Sequence, residues 1–182
     1  MIFESHDYAV EVFDERAYVC GDSSNSRSYS KEYNLAPEYR PSSSYGIKCV
    51  NSGANCIIQA GGGASAITKH SLVFGDSTFW ILVGDQLVCL SLPTLTLLWN
   101  KTIDSATGFE LFLSPDGKGL LIHGELEISK VTFEGVVIWS TSGKDIFTED
   151  FIVHEKHIEA TDFNGEKYHI KIEDGDNTLI KA

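Results

Sequence analysis

His154-Glu155-Lys156-His157 is the segment of this sequence best spaced to hold a metal. On a two-residue hairpin turn the two imidazoles face each other on one side of the ribbon. The helical H-E-x-x-H motif is a different arrangement, which needs a helix to bring its histidines together. A metal requires three or four ligands, and the sequence names no third. A solvated turn without metal is therefore expected. "EDGDNT" (173–178) alternates oxygen-bearing residues, but no calcium-loop glutamate follows at the required distance. "QAGGGASA" (59–66) lacks the Gly-Lys-Ser/Thr of a phosphate loop and its strand-to-helix setting, so a glycine-rich turn is expected. No G-x-S-x-G nucleophile elbow occurs.

Asp104, Asp145 and Asp174 stand at nearly equivalent places after runs that close on an aromatic residue. In a repeat array they would share one face, where such arrays bind partners. Loop capping explains them equally well. A hydrolase or lyase would need two such carboxylates, with His123 or His154 carrying protons, within reach of one substrate. The sequence does not show that they converge, and neither a catalytic set nor a cofactor is assigned.

Twenty-six acidic against fourteen basic residues give a net charge of −12. Such a surface repels phosphate backbones and anionic lipids, which argues against nucleic acid and membrane partners; it would favour a basic protein, although the same charge serves solubility alone in many proteins. The longest apolar runs, such as Leu87–Leu90, fall far short of the ~20 residues that span a bilayer. The first residues lack the basic and apolar regions of a secretory signal. Cys20, Cys49, Cys56 and Cys89 form no C-x-x-C pair and lie in or beside strand-like runs. They read as reduced thiols of a cytoplasmic protein.

The elements that must position these groups are strands. Apolar residues come in runs of about four to eight, rich in Val, Ile, Phe and Trp and broken by Gly, Asp, Asn, Ser and Pro. The expected strands begin with Tyr8–Phe13 and Arg16–Cys20 and continue through Ser65–Phe74, Leu126–Phe133 and Lys167–Ile172. No convincing amphipathic helix is present. At 182 residues, a single all-β domain is expected over 1–182. Residues 22–45, with eight serines and two prolines, read as a long exposed loop, a plain linker in the first place and a contact surface of tyrosines and arginines on ordering as the alternative.

The runs repeat. Gly84, Val88 and Trp99 fall on Gly124, Ile128 and Trp139, forty residues on. A third copy is placed thirty residues later, with Ile158, Phe163 and Gly165 on Ile128, Phe133 and Gly135, and His169 in place of Trp139. Trp99, Trp139, Phe133 and Phe163 are thus expected to pack one sheet on the next. A period near forty residues suits the four-stranded blades of a β-propeller.

"CLSLPTLTLLWNKTID" and "KVTFEGVVIWSTSGKD" resemble the repeats of quinoprotein-type (PQQ-like) propellers, and "FLSPDGKGLLI" is similar to the Ser-Pro-Asp-Gly hairpin of WD-type propellers. The resemblance covers roughly residues 79–174 and implies architecture rather than activity. Quinone ligands are not placed here, so no quinone is expected. Three clear copies are too few for a seven- or eight-bladed ring. A small, irregular, propeller-like stack of antiparallel sheets is expected instead. An open edge would need protection by a partner or by homo-oligomerisation. The expected function is a non-enzymatic module that binds another protein, with neutralisation of a basic partner, as by an immunity protein or inhibitor, as its sharper form. The alternatives are a carboxylate-dependent hydrolase or lyase and a structural subunit that completes a larger β assembly.

Overall fold

The computed structural model describes residues 1–38 and 40–180. Tyr39, one of the tyrosines of the 22–45 segment, and the last two residues of the 1–182 span lie outside the described residues. Among the described residues there is no helix, and seventeen strands form four sheets. The first sheet has the order β1 (Ile2–Glu4), β2 (Ala9–Asp14), β4 (Ser43–Cys49), β5 (Asn55–Ala60), β3 (Glu32–Asn34), with β3 parallel to β5.

The other three sheets share one plan, four antiparallel strands in chain order. The second contains β6 (Leu72–Phe74), β7 (Thr78–Val83), β8 (Gln86–Ser91) and β9 (Leu97–Thr102). The third contains β10 (Gly108–Leu113), β11 (Leu120–Gly124), β12 (Ile128–Val131) and β13 (Val137–Thr141). The fourth contains β14 (Phe151–Val153), β15 (His157–Thr161), β16 (Lys167–Lys171) and β17 (Asn177–Ile180).

Apolar cores join each sheet to the next. Val12, Ile47 and Ile58 of the first sheet meet Phe79, Ile81 and Val83 of the second. The intervening residues Trp80 and Leu82 point the other way, onto Leu111, Leu120 and Ile122 of the third. Leu121 and Ile128 then face Ile158, Ala160 and Ile170 of the fourth. Strand side chains alternate between faces, so a sheet covered on both sides reads as an unbroken apolar run, as in "TFWILV" of β7. A sheet covered on one side alternates instead, as in "HIEAT" of β15. Each fully buried Leu, Ile or Phe contributes roughly 1.5–3 kcal/mol, so the cores hold the four sheets as one stack.

The structure revises three expectations about the chain. The turns joining the third and fourth strands repeat at Leu95, Gly135 and Gly175, all at positive φ (53°, 82° and 74°), so the period stays at forty. The thirty-residue spacing had matched Gly165, in the β15–β16 turn, to Gly135, in the β12–β13 turn. Leu179, four residues after Gly175, therefore takes the place of Trp139 rather than His169. Arg16–Cys20 forms no strand, and of Ser65–Phe74 only the last three residues do.

Residues 22–30 are largely exposed, but the 22–45 segment is not one continuous loop. It supplies β3 and the start of β4. The Tyr33 hydroxyl donates to Leu95 O at 3.0 Å, and Lys31 Nζ donates to Thr94 O at 2.7 Å, tying the first sheet to the second. Arg27 reaches back to the buried Glu15 carboxylate at 2.7 Å, which Tyr29 also contacts at 2.8 Å.

Candidate functional site

On β10 and β11 a register shift between Gly108 and Glu110 leaves Phe109 as an extra residue and sets Glu110 directly opposite His123. Bulges of this kind re-aim side chains. Here Phe109 lines a cavity of about 470 Å³ with Ala66, Thr68, Glu110, His123, Thr148, Glu149, Asp150 and Phe151. The walls come from the segment before β6, from β10 and β11, and from the connection into β14. Three consecutive sheets therefore build it.

His123 is buried at the base of this cavity. Its ring stacks on Phe151 at 4.5 Å and meets the edge of Phe109 at 5.5 Å. Its Nδ1 lies 3.3 Å from Glu110 Oε2 and its Nε2 lies 3.1 Å from Phe147 O. Both ring nitrogens therefore face oxygen atoms within hydrogen-bond reach. The His123 hydrogen bond holds the Glu110 carboxyl below its usual value against the opposing effect of burial, with help from the charges of His123, His70 and Lys69. Glu149 and Asp150 at the rim are exposed, and neither joins an ion pair among the described residues. The cavity thus combines an aromatic floor with two free carboxylates, an arrangement that accepts a cation with an apolar stem.

The aspartates singled out by sequence do not converge. Asp104 is buried, and its carboxylate accepts from Ala106 N at 2.7 Å, Leu126 N at 2.8 Å and Glu127 N at 3.1 Å. It latches the β9–β10 connection to the β11–β12 turn of the next sheet. Asp145 makes a similar link one sheet later, accepting from Asn164 Nδ2 at 2.6 Å and from Ile146 N at 2.8 Å. Asp174 is in the β16–β17 turn, at the other end of the strands, where it accepts from Asp176 N. It is not the counterpart of the other two.

Trp139 is buried and Trp99 and Phe133 are partly buried, all between sheets, whereas Phe163 is 64% exposed at the tip of the β15–β16 turn. Two packing residues went unnoticed in the sequence. Trp80 donates Nε1–H to Phe133 O at 3.2 Å. Lys130, 2% exposed, reaches Asp116 Oδ2 at 2.6 Å and Ile172 O at 3.1 Å.

In "QAGGGASA", Gly62 and Gly63 let the chain pass against Ala106 and Thr107, so this stretch is a packing turn. "EDGDNT" forms the β16–β17 turn. All four cysteines are free thiols, and burial pushes Cys56 up to about 12 and Cys89 to about 11, which leaves these two unreactive. Glu155-Lys156 is a two-residue turn, and Glu159 joins His154 and His157 on the outward face of the fourth sheet, supplying the third group that spacing did not offer.

The chain is thus an all-β protein of stacked, propeller-like antiparallel sheets. No protein-family model matches it, and no curated protein does. Among solved structures it is similar to the WD40 domain of Neurospora crassa Pan2, at 15% identity and a TM-score of 0.49. The match covers 62% of this chain and 36% of that one, so the chain spans about a third of the length of that neighbour. No helix among the described residues is long and apolar enough to cross a membrane.

Proposed function

We propose that this chain is a non-enzymatic β-repeat module that binds another protein by taking a basic side chain into the cavity at Glu110, Glu149 and Asp150. The observation that carries this reading is the pair of free carboxylates, Glu149 and Asp150, above the Phe109–Phe151 floor. A lysine or arginine stem lies against the rings while its charge meets the carboxylates. The net charge of −12 speeds the approach of a basic partner and makes it sensitive to salt. Neutralisation of a basic protein, as an immunity protein or inhibitor performs it, is the sharper form of the same reading.

A hydrolase or lyase fits less well, because both nitrogens of His123 and both oxygens of Asp104 are already engaged. The structural-subunit reading draws on one observation, the exposed apolar run Val136, Val137, Ile138 at the edge strand β13.

The test is fluorescence anisotropy with a labelled Lys/Arg-rich peptide at low and high salt. Saturable binding that weakens with salt and is lost in E149Q/D150N supports the module. Binding unchanged by that double substitution overturns the cavity as its site.

A further inference from the structure

The outward face of the fourth sheet carries no core, yet it gathers three imidazoles around one carboxylate. His154 and His157 close the β14–β15 turn, with His154 N–H donating to His157 O at 2.8 Å, and their rings stack at 4.4 Å and 19°. His169, on β16, stacks on the far side of His157 at 4.1 Å and 17°. Glu159 shares the outward side of β15 with His157 and lies directly opposite His169 in the ladder. Its Oε1 is 3.5 Å from His154 Nε2 and 3.5 Å from His157 Nε2.

We propose that His154, His157 and Glu159 form a binding site for a divalent transition metal, with zinc as the ion they suit best. The three ligand atoms all lie within 4.8 Å of one another. In a tetrahedral zinc site with bonds of about 2.0–2.2 Å, neighbouring ligand atoms are roughly 3.3–3.6 Å apart. Both Nε2–Oε1 separations, at 3.5 Å, already match that edge.

A second observation points the same way. Among the described residues, His154 Nε2 is shielded from solvent and has no hydrogen-bond partner, the kind of buried polar atom that folding ordinarily satisfies. A metal ion between His154 and Glu159 satisfies it.

The ligand set of two imidazole nitrogens and one carboxylate oxygen suits zinc and its neighbours rather than calcium or magnesium. The surrounding charges permit a cation. Lys171 lies opposite His157, but Asp176 holds its ammonium at 2.8 Å. The side chains of His154, His157 and Glu159 are 40%, 27% and 46% exposed, so the site lies at the surface of the sheet. Three protein ligands leave a fourth position, which water fills, and His169 orients His157 by stacking on it.

The test is calorimetric titration of zinc into metal-free, tag-free protein, with Co²⁺ absorption as the report of tetrahedral coordination. One saturable site per chain is expected. H157A removes it, E159Q weakens it by at least about tenfold, and H6A, which alters a histidine outside the cluster, leaves it unchanged. These ligands lie outside the core, and urea unfolding of each variant separates lost binding from lost folding. Wild-type affinity in an H157A/E159Q double variant overturns the proposal, as does the absence of saturable zinc binding up to about 1 mM. Neither result bears on the cavity at Glu149 and Asp150.

Discussion

Trp139 of the third sheet lies against Gly175 of the fourth so closely that a methyl group on the glycine would meet the indole Cδ2 at 2.7 Å. Trp99 of the second sheet stands in the same relation to Gly135 of the third, with Cζ3 at 2.9 Å. Each indole reaches from the last strand of its sheet onto the final turn of the next. Trp139 adds a hydrogen bond from Nε1 to Ile172 O at 3.0 Å. The forty-residue spacing of the tryptophans is therefore tied to the forty-residue spacing of the turn glycines they cover.

Gly175→Ala tests that contact. The substitution forces a Cβ into positive φ, at about 1–2 kcal/mol, and into the indole, at about 1–3 kcal/mol for overpacking. A loss of roughly 2–4 kcal/mol is expected in urea unfolding. Gly165 has φ +80° but nothing within 4 Å of a Cβ, so Gly165→Ala should lose only the conformational part. Equal losses at the two positions would remove the indole from the account.

The same contact marks how far the sequence could be read. The all-β class, the turns of the later hairpins and the tryptophan spacing are local patterns, and they were legible, whereas the expected hairpin from Tyr8–Phe13 to Arg16–Cys20 does not form. The phase of the third repeat was not, because Asn164-Gly165 is as good a turn former as Asp174-Gly175 and Leu179 replaces the tryptophan that would have marked the strand. The cavity was hidden for another reason. Glu110 and His123 become neighbours only through the β10–β11 register, and Phe151 arrives from a third sheet. A lysine at position 130 gave no sign of burial, since its partners Asp116 and Ile172 lie in a hairpin and in a different sheet.

The Lys130–Asp116 pair predicts an asymmetry. Asp116→Ala leaves a buried ammonium with one carbonyl partner, whereas Lys130→Met leaves a carboxylate that is 30% exposed and can hydrate. Removing one partner of a fully buried pair costs about 3–5 kcal/mol. Partial exposure of Asp116 lowers that to roughly 2–3 kcal/mol for Asp116→Ala, and Lys130→Met should lose about 1 kcal/mol or less. Urea midpoints in the reverse order would contradict this reading of the pair.

Asp104 is expected to matter for folding. Asp104→Ala strands three backbone N–H groups, at about 1–3 kcal/mol for each that water cannot reach. A net loss of about 2–4 kcal/mol is expected. Asp104→Asn keeps one acceptor oxygen and should lose about half as much. If Asp104→Ala folds with wild-type stability, the latch between the second and third sheets is unimportant and a partner-binding role for Asp104 regains ground.

Acid should weaken the third sheet. At Asp116 burial favours the neutral acid, but hydrogen bonds from Lys130, Ser114 and Lys118 outweigh it and hold the carboxyl at about 2, below its ordinary 3.8. Glu110 is held down in the same direction by His123. A carboxyl whose folded value is depressed stabilises the fold above its unfolded value and loses that contribution as pH falls towards the folded one. The depressed value at Asp116 corresponds to roughly 1–2 kcal/mol after allowance for its exposure. This contribution is fully present above about pH 5 and fades between about pH 4 and pH 2. Urea midpoints of wild type and Asp116→Asn should therefore differ at pH 6 and converge by pH 2–3. A difference that stays constant across that range would mean that Asp116 stabilises the fold through shape and hydrogen bonding rather than through its charge.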